Sequence, residues 1–77
     1  MKKNVNYISR FVVKREYVIE VKERLEKLAE DIGEKESLKF DERTFKTNSK
    51  RKSETFNSVL YDYLELDKIY EVTTHCF

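Results

Sequence analysis

LKFDERTFKT, residues 38–47, holds the phase break on which the reading of this chain turns. Leu38 and Phe40 share one face of an extended strand, because side chains alternate with period two. Phe45 is an odd number of residues from both, so one regular strand would send it to the opposite face. A bulge at Asp41–Arg43 repairs the phase, and so does a tight turn between two short strands. The turn is the preferred reading, although Asp-Glu is not the glycine-containing pair such turns favour. The stretch then supplies two strands rather than one.

Upstream, the period changes. Val18, Val21, Leu25, Leu28, Ala29 and Ile32 collect on one stripe of a helix beginning near residue 16. Glu20 with Arg24 and Glu23 with Lys27 are favourable pairs four apart. Gly33, the one glycine, falls where a left-handed C-terminal cap is wanted. No Ser, Thr, Asp or Asn caps the start, and YVIEV at 17–21 is also compatible with a hairpin. Before the helix, NVNYISRFVV at 4–13 puts Val5, Tyr7, Phe11 and Val13 on one face and Ile8 and Val12 on the other. Apolar groups on both faces place this strand inside a sheet.

Downstream, FKTNSKRKSETF at 45–56 reads as a basic connection, after which Ser53 caps a second helix over 53–66. Phe56, Val59, Leu60, Tyr63 and Leu64 form its stripe; a competing strand reading uses Val59, Tyr61 and Tyr63. KIYEVTTHCF at 68–77 then alternates Tyr70, Val72, Thr74 and Cys76 against Ile69, Glu71, Thr73 and His75, as a last strand. The order is strand, helix, two short strands, helix, strand. This βαββαβ pattern is that of a single α+β domain of the ferredoxin-like, split-βαβ kind, with two helices on one face of an antiparallel sheet.

Seventy-seven residues allow one domain with a thin core. The ten aromatics argue for a folded chain and exceed what that core easily encloses, so a self-associating surface, most simply a symmetric dimer, is expected. One cysteine excludes an internal disulfide and fits a reducing compartment. The basic start lacks an apolar core and cleavage site for secretion, and no apolar run approaches a membrane span. A soluble, cytoplasmic protein is expected. The excess of Lys, Asn, Ile, Tyr and Phe fits AT-rich codons, as in a phage or other mobile element.

Net charge is +1, but it comes in blocks: +5 over 1–15, −4 over 16–37, +4 over 38–52 and −4 over 53–77. Such alternation lets the fold neutralise itself, and it also offers two surfaces. Lys46, Lys50, Arg51 and Lys52, with Lys2, Lys3, Arg10 and Lys14, form a candidate basic surface for phosphate backbones. On the sheet order expected here Tyr7 and Phe45 lie on neighbouring central strands, the placement from which aromatics stack bases in RNA-recognition sheets. The glycine-rich aromatic signature of that module is lacking. The alternative surface is acidic: Tyr61, Asp62, Glu65, Asp67 and Glu71 suit docking on a basic protein, as an inhibitor or regulator would.

Catalysis is poorly served. His75 and Cys76 are single and adjacent, so a strand points them to opposite faces, with Cys76 expected to pack and His75 to be exposed. Zinc needs three or four ligands and magnesium would have only Asp41 and Glu42 in a charged turn. One glycine cannot build a phosphate-cradling loop. The expectation is a non-enzymatic binding module without cofactor, metal or small-molecule substrate, whose partner is nucleic acid or a protein of a nucleoprotein complex.

Overall fold

The computed structural model describes residues 5–77. It contains β1 (Tyr7–Val13), α1 (Val18–Asp31), β2 (Leu38–Lys39), β3 (Thr44–Thr47), α2 (Lys50–Glu65) and β4 (Ile69–Cys76), with 3-10 turns at Arg15–Tyr17 and Lys35–Ser37. The four strands form one antiparallel sheet in the order β2-β3-β1-β4. The result is a small α+β domain, a four-stranded antiparallel sheet with two helices.

The phase break at 38–47 resolves as a turn. Leu38 pairs with Phe45 and Lys39 with Thr44, leaving Phe40–Arg43 as the loop. The Arg43 amide donates to the Phe40 carbonyl at 3.1 Å, and Arg43 takes φ 58°, the left-handed value usually given to glycine. Phe40 folds back so that its ring lies 5.8 Å from that of Phe11.

The core takes one face of β1, with Ser9, Phe11 and Val13 buried, together with Phe45 of β3 and Ile69 of β4. Val21, Leu25, Leu28 and Ala29 of α1 and Phe56 and Leu60 of α2 join the same cluster. Phe45 and Phe56 stack nearly parallel with ring centres 3.9 Å apart, fixing β3 against α2. Both helical stripes expected from the sequence are therefore the buried ones, and the strand reading of 53–66 falls.

Three local expectations change. The second helix starts at Lys50, not Ser53: the Ser49 hydroxyl accepts from the Lys52 amide, while Ser53 is buried inside the helix. Strict alternation in β4 would put Ile69 and Val72 on opposite faces. A register shift between Val12 and Val13 leaves Tyr70 as the extra residue, so Ile69 pairs with Val13, Val72 with Phe11, and both turn inward. Glu20 reaches across to Lys68 at 2.6 Å rather than along α1 to Arg24.

Both helices end in the same cap. Gly33 (φ 73°) donates to Glu30 and Glu34 to Ala29; Asp67 (φ 61°) donates to Leu64 and Lys68 to Tyr63. Each is the paired hydrogen-bond closure that needs a left-handed residue just past the helix. No helix among the described residues is long and apolar enough to cross a membrane.

Candidate functional site

The strand pairing sorts the candidates by face. On β1, Ser9, Phe11 and Val13 turn to the core, so Ile8, Arg10 and Val12 turn to the outer face. Register carries this outward: Lys46 and His75 flank Ile8, Thr44 and Thr73 flank Arg10, and Glu71 lies beside Val12. Lys39, paired with Thr44, extends the row through Arg10 to β2. Arg10, Lys39 and Lys46 are all exposed and, among the described residues, in no ion pair. They line a concavity of about 470 Å³ together with Ile8 and Thr44, to which Glu36 and Glu42 also contribute. A smaller hollow of about 260 Å³ follows along the same face, between Arg10, Arg43 and Glu71.

The expected aromatic pair is not on this surface. Phe45 is fully buried against Phe56, and its backbone partner is Ser9, a core-facing residue. Tyr7 lies on the same inner side, between Thr47 and Cys76. β1 and β3 are neighbours, as expected, but the phase that makes Phe45 a core residue removes it from any base. The outer positions of β1 and β3 hold Ile8, Arg10, Val12, Thr44 and Lys46, none of them aromatic.

The basic stretch is divided. Lys46 stands on the outer face, while Lys50, Arg51 and Lys52 form the first turn of α2, where no acid occurs. Cations there oppose the helix dipole, whose positive end lies at the N-terminus. Lys52 is offset by Glu34, its Nζ 2.9 Å from Oε1. The Ser37 hydroxyl donates to the other Glu34 oxygen at 2.6 Å. Ser37 first and Lys52 second hold the Glu34 carboxyl below its ordinary pKa. Lys50 reaches Glu54 only at 4.0 Å, and Arg51 is exposed. Lys14 is also engaged, 2.8 Å from Asp67, whose hydrogen bond raises the lysine pKa. Lys2 and Lys3 lie outside the described residues.

The acidic set is split as well. Tyr61, Asp62 and Glu65 are exposed on α2, with Leu66 exposed just beyond them. Asp67 is held by Lys14, and Glu71 belongs to the outer sheet face. Cys76 is exposed rather than packed, because it pairs with Tyr7 at the far end of the sheet, beyond the buried residues of β1. Among the described residues no three His, Cys, Asp or Glu side chains converge as a metal site requires. Sequence reasoning passed over Lys39 and Thr44, which only the register brings beside Arg10.

Comparison with models of known families, with characterised proteins and with solved structures finds no match, so the functional reading rests on the residues themselves.

Proposed function

We propose that this chain is a small non-enzymatic binding module that engages nucleic acid, or a nucleic-acid-handling complex, on the outer face of its sheet. The observation carrying the reading is the row of cations Arg10, Lys39 and Lys46, in no ion pair among the described residues and drawn from three strands around one concavity, where they outnumber the two carboxylates, Glu36 and Glu42. Lys50 and Arg51 at the start of α2 extend the positive region beyond the end of β3. We take the arrangement to be the ferredoxin-like split βαβ, both helices on one face, which leaves the other face free for a ligand. The strand order and the core shared by the two helices support that choice.

Phosphate contacts without aromatic stacking imply little sequence preference. Three contacts on a single strand give a log–log salt slope of about −2. Fluorescence anisotropy with a labelled single-stranded oligonucleotide tests this. Arg10→Glu with Lys46→Glu should flatten the slope and weaken binding about equally on all sequences; unchanged binding would refute the proposal.

A second reading is favoured by half-exposed Tyr61 beside Asp62, Glu65 and Leu66: an inhibitor or regulator docking α2 on a basic protein. It predicts capture of partners from lysate that survives nuclease and the Arg10 and Lys46 reversals but is lost in Tyr61→Ala with Asp62→Lys.

A further inference from the structure

The two edges of the sheet are treated differently. Strand β2 has two residues, too short to template another chain, whereas β4 has eight and pairs only with β1 among the described residues. Long edges are usually blunted by lysine, proline or a bulge. The bulge in β4 lies at Tyr70, and Glu71–Cys76 beyond it is regular and contains neither lysine nor proline.

The hydrogen bonding of that edge can be read out. Asn6 and Phe77 exchange both backbone hydrogen bonds, at 3.2 and 2.9 Å. By antiparallel alternation, Ile8 with His75, Arg10 with Thr73 and Val12 with Glu71 are the other bonded pairs. The amides and carbonyls of Val72, Thr74 and Cys76 therefore point away from the sheet.

We infer that this edge joins two copies of the chain, β4 against β4 and antiparallel, about a two-fold axis at Thr73. In that register Val72 bonds Thr74 of the second copy, and the reverse. Thr73 faces Thr73, and on the outer face Glu71 stands directly opposite His75 of the second copy, twice by symmetry. Thr73 against Thr73 is a favourable cross-strand pair, the Glu71 carboxylate can accept a hydrogen bond from the His75 ring, and no like charges oppose each other. That self-complementarity selects a second copy over an unrelated strand, since an isologous contact requires the patch to match itself. Tyr70 and Phe77, both largely exposed, fall at the two ends, where each Tyr70 comes beside Cys76 and Phe77 of the other copy. The product is a continuous eight-stranded sheet, and its formation does not depend on the nucleic-acid reading.

Sedimentation over a concentration series tests it. The wild type should show a monomer–dimer equilibrium. Thr74→Pro deletes an outward amide that β1 does not use, together with the hydroxyl beside Ser9; with the monomer's circular dichroism unchanged, it should weaken association at least tenfold, about 1.4 kcal/mol. His75→Glu, an exposed change that leaves the fold alone, should weaken it too by setting Glu71 against a carboxylate. Adding Glu71→His recreates the opposite pair with the roles exchanged and should restore association. A wild type that stays monomeric at about 1 mM, the weak end of specific affinity, overturns the inference. So does a dimer indifferent to His75→Glu, or a double variant that is not rescued.

Discussion

Ser9 is a polar residue in the middle of the core face, and its hydroxyl donates to the Asn57 side-chain oxygen at 2.6 Å. Asn57 also approaches Ser53 at 3.5 Å, and Thr74 lies 3.4 Å from Ser9, so one polar chain ties β1 and β4 to α2. Removing Asn57 leaves the buried Ser9 hydroxyl with only the longer Thr74 contact, whereas Asn57, being half-buried, can turn to water when Ser9 is removed. Asn57→Ala should therefore cost about 1–3 kcal/mol in urea unfolding, more than Ser9→Ala, which takes the buried hydroxyl away with it. Equal losses would show that the chain does not act through hydrogen bonding. The caps offer a second test at this scale. Asp67 does at φ 61° what Gly33 does at 73°. Asp67→Gly should stabilise by up to about 1 kcal/mol through relief of the left-handed strain, offset in part by loss of the Lys14 pair. Gly33→Ala should destabilise by about 1 kcal/mol. Gly33 was legible in the sequence because glycine announces that conformation. Asp67 was not, because its motif differs from an ordinary polar turn only in its backbone angles.

At the scale of elements, the stripes and the hairpin were readable because hydrophobic period survives folding unchanged. The start of α2 was not readable. Lys50, Arg51 and Lys52 oppose the dipole and precede the first apolar stripe residue, Phe56, so local signals favoured Ser53 over Ser49. Ser49→Ala should cost about 1 kcal/mol as the loss of an N-cap, whereas Ser53→Ala should change stability by less than half of that. The reverse ranking would move the helix start back to Ser53. Glu34 clamps the same end. Its carboxyl pKa is lowered in the folded protein, so its stabilisation is present above the ordinary carboxylate range and is lost as pH falls through the lowered value. Thermal melts should show Glu34→Gln less stable than wild type at neutral pH, the gap closing as pH falls through and below the lowered value. A gap that persists in acid would assign the effect to packing. The bulge in β4 escaped sequence reading for a related reason: Ile69 and Val72 conflict in phase only once Val13 and Phe11 are known to be their partners.

Across the whole molecule, the alternating charge blocks do two things at once. Lys14, Lys52 and Lys68 are each matched by an acid from another block, namely Asp67, Glu34 and Glu20. Arg10, Lys39 and Lys46 are left over on the outer face of the sheet, and that residue of positive charge is the basis of the proposed binding surface. Arg10 and Lys46 could be nominated from composition. Their meeting with Lys39, and the burial of Phe45, depended on pairing register, which a lone sequence specifies only through the turn at 40–43. The most direct test is an NMR titration of the labelled protein with a short single-stranded oligonucleotide at low salt. Binding on the outer face predicts amide shifts centred on Ile8, Arg10, Lys39, Thr44 and Lys46, reversed by added salt. Shifts confined to Tyr61–Glu65, or none at all, would contradict it.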